Sequence, residues 1–288
     1  MSRKTYAVSA LDEGQIMLKP QALRNSFDAP AARARCRRFR RRILEISQQV
    51  TALHAAPAFS CTEITDAIYH GLMRGTDHDV FLMSKGHGCM IQYVILEELG
   101  VLSREDLDRY CKPDGRLGAH PDYQTPGVAA STGSLGHGLG LATGQAYAEK
   151  LKKTDVMVYC VLSDGEFQEG STWEAMMMAA NLKLENLVAL MDNNDFGGLE
   201  RMSDRHQAFY PLVEKAEAFG WESVEVDGHD GAAIVNAVTS RSGGRPLLLV
   251  CRTVKGKGVS YMENVPIWHY RSPNEEEYQQ GLKELAAE

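Results

Sequence analysis

The sequence predicts an α/β protein with three layers, α/β/α, around a mostly parallel central sheet. Three observations predict it. Short apolar runs at 156–162, 187–191 and 246–253 are too brief for buried helices and fit central strands of a parallel sheet. Between the first two, residues 169–182 carry Trp173, Met176, Met177 and Ala180 at three- and four-residue steps, the period of a helix. Polar strings follow the strand-like runs, Asp164-Gly165 after the first and Asn193-Asn194 after the second. The ends of neighbouring parallel strands share one sheet edge, where ligands of α/β proteins bind.

Composition sets the outer bounds. A chain of 288 residues, 44% hydrophobic and 24% charged, has an ordinary globular make-up and room for one large domain or two small ones. The net charge of −7 argues against a nucleic-acid binder. No apolar run approaches the roughly 20 residues that cross a bilayer, and residues 1–21 lack the apolar core of a secretion signal. Six scattered cysteines with no Cys-x-x-Cys read as free thiols of a reducing cytoplasm. The expected organisation is an arm over 1–28, an α/β domain over 29–270 and a tail over 271–288.

In chain order, a helix is expected over 31–52, its first half crowded with arginines from Arg33 to Arg42. Such a run can bind RNA or acidic lipid, but the acidic overall charge favours a solvated face paired to acids from elsewhere. Residues 53–59 break that helix, leaving His54 in a loop of small residues before a new helix capped near Ser60 or Thr62. A strand at 79–84 runs into Lys85-Gly86-His87-Gly88 and a helix to about Leu99, an order that makes an anion cradle. Gly136-x-Gly138-x-Gly140 opens a small-residue helix through Ala148, with His137 read as a partly buried residue at its start. It is not a dinucleotide loop, because Leu141 stands where the last glycine belongs. After a turn at Gly197-Gly198, a helix is expected over 206–218 and an alternating strand over 221–226. There follow Asp227-Gly228-His229-Asp230, where Asp227 is structural and His229 caps the next helix at 232–239. The strand at 246–253 leads into Lys255-Gly256-Lys257-Gly258, then Trp268-His269 and a charged surface helix from 275 to 288.

The chemistry gathers at the 163–196 unit. Asp164 offers a carboxylate, Asn194 an amide oxygen, and Gly165 lets a ligand approach the backbone. Mg²⁺ takes one or two carboxylates together with phosphate oxygens and water, so the unit reads as a Mg²⁺–diphosphate site. Taken alone, the same residues could be turn chemistry between two strands. Asp-Gly-acid followed about thirty residues later by Asn-Asn resembles the thiamine diphosphate motif. Glu169-Gly170 and the strings Ser84-Lys85-Gly86-His87-Gly88, Gly133-Ser134-Leu135-Gly136-His137-Gly138 and Trp268-His269 resemble the transketolase family, over about residues 31–270.

The resemblance implies a thiamine diphosphate-binding fold. It implies metal binding by the side chains of Asp164 and Asn194 and the carbonyl of Phe196, with Mg²⁺ or another divalent ion such as Ca²⁺ or Mn²⁺. Cofactor contacts are implied for His87, Gly133, Ser134, Leu135, Ser163, Gly165, Glu166, Asn194 and His269, and catalytic roles for His54, His87, His120, His269 and Glu169. Four positions depart from the pattern: Ser163 and Tyr270 where the family has glycine, and Ala55 and Ala56 for glycines beside His54. The implied activity moves a two-carbon ketol unit from a ketose (phosphate) to an aldose (phosphate) through a carbanion on the cofactor. The matched region is only the diphosphate-binding half. A separate pyrimidine-binding chain is therefore expected to complete the site, in a heteromer with two copies of each. The alternatives are another thiamine diphosphate enzyme, such as a 2-oxoacid dehydrogenase component or a pyruvate-using synthase, and a non-catalytic scaffold of the same fold.

Overall fold

The computed structural model describes residues 27–50 and 53–287; the arm expected over 1–28 lies almost wholly outside them. Five strands form one parallel sheet in the order β1-β2-β3-β7-β6: β1 (Val80–Met83), β2 (Val158–Ser163), β3 (Leu187–Asn193), β6 (Glu222–Asp227) and β7 (Leu247–Arg252). A hairpin of β4 (Phe196–Gly197) and β5 (Glu200–Arg201) stands apart from it.

The period-2 alternation of a strand builds the three layers. Tyr159 and Val161 of β2, Val188 and Leu190 of β3, and Leu247 and Leu249 of β7 enter one core. The residues between them, Val158, Cys160, Leu162, Ala189, Met191, Leu248 and Val250, enter the other. The first core is closed by α1 (Ala29–Ser47), α2 (Ala55–Ser60), α3 (Thr62–Ala67), α4 (Cys89–Glu98), α10 (Gly231–Thr239) and α11 (Glu275–Ala287). The second is closed by α6 (Gly138–Lys152), α7 (Gly170–Asn181) and α9 (Leu212–Ala218). Strands with both faces buried need apolar residues throughout, which is why β2, β3 and β7 read as continuous apolar runs.

The strand–helix–strand unit β2-α7-β3 forms as expected, and its strands are neighbours in the sheet. Three expectations need correction. The helix expected over 31–52 already ends at Ser47, and most of the segment at 53–59 is itself helical, in α2 (Ala55–Ser60); Pro57 sits in its first turn, where the missing N–H costs nothing. The helix expected over 206–218 begins only at Leu212, with Pro211 preceding it and α8 (Met202–Arg205) a separate short piece. His229 does not cap α10. Asp230 does, its Oδ1 accepting from the N–H groups of Ala232 and Ala233. Along α1, Arg35 pairs with Asp66, Arg38 with Glu98, Arg40 with Glu63, Arg41 with Glu45, and Arg42 with Glu97 and Asp108. These pairs offset much of the basic charge of the helix. The short α5 (Arg104–Asp108), too brief to show a period in the sequence, carries a capping box between Ser103 and Asp106.

Candidate active site

Four of the chemistry-bearing strings lie beyond the C-terminal ends of parallel strands. Lys85–Gly88 follows β1, Asp164–Glu166 follows β2, Asn194 follows β3 and Lys255 follows β7. That common edge brings four loops together, which no single motif could do. The imidazoles of His54, His87, His120 and His269 form one cluster. The ring of His54 lies 6.1 Å from His87, 5.8 Å from His120 and 5.5 Å from His269, and His87 lies 5.2 Å from His269.

The backbone around the cluster admits only glycine at two points. A Cβ on Gly133, where φ is +129°, would meet the His120 ring at 2.7 Å. One on Gly86 would meet the Gly133 backbone at 2.7 Å. Three loops are thus stacked at backbone contact. Ser134 and His137 are exposed and Leu135 is half-buried at the adjoining turn. His137 is thus not the partly buried residue expected, although it does begin α6.

Burial sets the protonation of the cluster. Desolvation, assisted by His120, Lys255 and Lys85, brings His54 down to about 4. Desolvation with Lys255, His54 and Lys85 brings His269 down to about 3. Burial likewise holds His87 well below the ordinary histidine range and lowers His120. At neutral pH the chain carries this group as neutral imidazoles, each with one N–H and one nitrogen lone pair. In the chain by itself, burial keeps these histidines from titrating near neutrality. Lys255, 2% exposed, donates from Nζ to His269 Nδ1 at 2.8 Å and to the Gly198 carbonyl at 2.9 Å. The bond to Nδ1 leaves the His269 proton on Nε2. Burial and neighbouring Lys85 lower Lys255 to about 8, against the pull of Asp164 and Asp192.

The candidate metal ligands converge. Phe196 N–H donates both to Asp164 Oδ2 at 3.0 Å and to Asn194 Oδ1 at 3.1 Å. Asp164 is fully buried, and desolvation together with Asp192 pushes it up to about 7. A buried carboxylate held near its protonation point accommodates a cation, which restores its charge. Two side-chain oxygens and a neighbouring carbonyl suit a hard ion that completes its shell with phosphate oxygens and water. Among the described residues no group of three His, Cys, Asp or Glu side chains makes an all-protein cage. The residues present therefore fit thiamine diphosphate with its metal.

Glu166 closes the turn after β2. Its carboxylate accepts from Ser163 N at 3.1 Å, Ser84 Oγ at 2.5 Å and Gly136 N at 3.1 Å, tying the β1 and β2 loops to the loop before α6. Ser163 is buried, its Oγ 3.9 Å from the place of a Cβ on Gly165. Glu169 does not join the histidines; it stands exposed at the head of α7 against Gly136.

The profile of the transketolase thiamine diphosphate binding domain matches residues 40–286. The chain belongs to the transketolase family. A protein of Phocaeicola vulgatus, named as one subunit of an apulose-4-phosphate transketolase, is 36% identical over 256 residues, covering 86% of this chain and 91% of that protein. Human transketolase is 36% identical over 224 residues, covering 75% of this chain but 36% of that protein. The solved transketolase of Campylobacter jejuni superposes with a TM-score of 0.84 at 25% identity, over 90% of this chain and 43% of that one. The chain thus spans less than half the length of the single-chain transketolases it matches, and nearly all of a relative that is named as a subunit.

Three residues of this transketolase site do not stand out in the sequence. Lys255 lies in a glycine-rich loop without a role of its own there, although a lysine between a buried strand and a glycine is a natural anion contact. Lys85 and Asp192 sit inside longer strings, yet both are completely buried. Asp192 stands two residues before Asn194, and period 2 sets both side chains on one side of the strand end; that spacing is the available signal.

Proposed function

We propose that this chain is the diphosphate-binding subunit of a two-component transketolase, which transfers a two-carbon ketol unit from a ketose phosphate to an aldose phosphate. The observation that carries the reading is the meeting, on one sheet edge, of four neutral imidazoles with the converging oxygens of Asp164 and Asn194. Asp164, Asn194 and the Phe196 carbonyl would hold the divalent ion. Ser163, Gly165, Glu166, His87 and His269 would surround the diphosphate, with Gly133, Ser134 and Leu135 on the aminopyrimidine side. The cofactor, when bound, supplies the electron sink for breaking and making the carbon–carbon bond. The chain's own part is to position and to move protons. His54 and His120 face the substrate side, where a neutral imidazole accepts a hydroxyl proton at one nitrogen and donates at the other. His269, with its proton on Nε2, is a donor toward a developing oxyanion.

Glu169, exposed beside Gly136, is available to a residue of the partner chain. The match to nearly the whole of a protein named as a transketolase subunit supports such a partner. No helix among the described residues is long and apolar enough to cross a membrane. With its cysteines free, the proposed compartment is the cytoplasm.

The test is to purify the complex from cells that make it and assay ketose phosphates against pyruvate as donors. Ketol transfer with a second chain present supports the reading; pyruvate turnover would move it to another thiamine diphosphate enzyme, and a cofactor-free assembly to a scaffold. Asp164→Ala removes the one carboxylate of the ligand set, and its affinity for thiamine diphosphate with Mg²⁺ is expected to fall at least about 100-fold by calorimetry, the scale of losing a buried charge contact. Unchanged affinity would sink the assignment.

A further inference from the structure

Beneath the candidate metal ligands lies a buried charge pair that the proposed chemistry does not use. The side chains of Lys85 and Asp192 are both 0% exposed and form an ion pair through Lys85 Nζ and Asp192 Oδ2. Lys85 Nζ also donates to the Pro57 carbonyl at 3.1 Å. Asp192 Oδ1 accepts from Ser60 Oγ at 2.7 Å and from Thr253 Oγ1. Asn194 completes the network: its Nδ2 donates to Asp192 Oδ2 at 3.2 Å and to Ser60 Oγ at 3.0 Å.

The network decides which way the Asn194 amide faces. A carboxylate only accepts. Turned over, the amide would set its oxygen against Asp192 Oδ2 and its NH₂ against the Phe196 N–H, exchanging hydrogen bonds for two like-with-like contacts at the same distances. Ser60 cannot relieve this, because its proton is given to Asp192 and it offers Asn194 a lone pair. One orientation is left, with Oδ1 toward Phe196 N and Asp164. Lys85 compensates the carboxylate that imposes it, since a lone buried charge is costly.

We propose that Asp192, compensated by Lys85, is a positioning residue that locks the Asn194 amide with its oxygen toward the metal and diphosphate. This rests on the reading of Asn194 as a metal ligand. Partners that orient a metal ligand without touching the metal typically account for about 10–100-fold in affinity.

The experiment titrates thiamine diphosphate into the purified complex at a series of Mg²⁺ concentrations, for the natural chain and for Lys85→Met with Asp192→Leu. Replacing both members of the pair by apolar side chains removes the acceptor that holds the Asn194 amide without leaving a lone buried charge. The Mg²⁺ concentration for half-maximal cofactor binding is expected to rise about 10–100-fold. Adding Asn194→Asp to that variant should return it to within about tenfold, because a carboxylate presents oxygen whichever way it turns. A merely structural role for the pair predicts no such rescue, since the same two apolar side chains stand in both variants. A natural chain that binds thiamine diphosphate with Mg²⁺ and a pair variant with the same Mg²⁺ dependence would overturn the inference alone. A natural chain with no Mg²⁺-dependent binding would instead remove the metal reading beneath it. Should the pair variant fail to fold, hydrogen exchange of the Asn194 side-chain amide in the natural chain decides: protection before any ligand is added is expected, and exchange as fast as at a solvated amide would refute the lock.

Discussion

At the scale of single residues, the histidine cluster links burial to pH. A histidine whose folded pKa is depressed contributes stability that is full above its unfolded value and is lost as pH falls toward the folded one. His54 moves from 6.5 to about 4 and His269 from 6.5 to about 3. Both therefore favour the folded state above pH 6.5 and withdraw that support between pH 6.5 and about 4. Each adds a slope of up to about 1.4 kcal/mol per pH unit in that window. Urea unfolding of the cofactor-free chain at pH 7.0, 6.0 and 5.0 should show this decline, and His54→Asn should flatten it; an unchanged slope in that variant would mean that His54 is hydrated rather than buried. The four histidines were legible through the family strings that surround them, and the structure brings their rings together. What was not legible is the protonation state, which depends on four loops excluding water together. Nor was the role of Lys85 and Asp192: a charge inside a motif string looks solvated until the fold shows both side chains without solvent.

At the scale of elements, Glu63 holds three segments at once. It stands on α3 and accepts from Arg40 of α1 at 2.6 and 2.7 Å and from His229 Nδ1 at 2.9 Å. His229 Nε2 in turn accepts from Val254 N at 2.8 Å, one residue before Lys255. This cross-tie fixes the helical layer to the loop that brings Lys255 into the site. Burial opposes the charge of Glu63, but Arg40 and His229 outweigh it and bring the carboxyl down to about 2. The folded value is depressed, so the contribution is present above about pH 4.5 and is lost as pH falls toward 2. Glu63→Gln takes the carboxylate from buried Arg40 and is expected to cost about 3–5 kcal/mol at pH 7, whereas Arg40→Met with Glu63→Leu should cost less, because removing both charges spares the desolvation. Equal losses in the two variants, measured by denaturant unfolding, would refute this. Strands and long helices were readable from period, since sheet burial and helix amphipathicity dictate it. Short pieces were not: α2, α5 and the β4–β5 hairpin hold together by tertiary contact and capping, with too few residues to show a period.

At the scale of the whole molecule, one face is unlike the rest of the surface. On α6, Leu141, Tyr147 and Leu151 are 46%, 38% and 64% exposed, and on α7, which packs beside it, Met177 and Met178 are 48% and 52% exposed. Gly140 and Gly144 run along the same outer side of α6 with open space where a Cβ would stand. Soluble surfaces rarely collect apolar side chains in this way unless another chain covers them, and glycines in the row let a second backbone come close. The face is continuous with the site. Gly138, at the head of α6, would clash with Ser84 if it carried a Cβ, and Gly136 stands against Glu169 at the head of α7. A chain seated on α6 and α7 therefore lies next to the loops that follow β1 and β2. The occupant expected under the proposed function is a partner subunit, in line with the match to 91% of a relative named as a subunit. Charging the face without touching the core separates this from simple surface greasiness. Leu141→Glu with Leu151→Glu should lower the share of assembled complex in native mass spectra by at least about tenfold, the effect of burying unpaired charge at an interface, while the melting temperature of the isolated chain stays within about 2 °C, as for exposed substitutions. Ketol transfer should fall in proportion to assembly and recover when partner is added in excess. If the complex persists undiminished, the partner binds elsewhere and this face serves contacts between copies of the chain; if assembly is lost together with the fold, the helices depend on this face for their own packing.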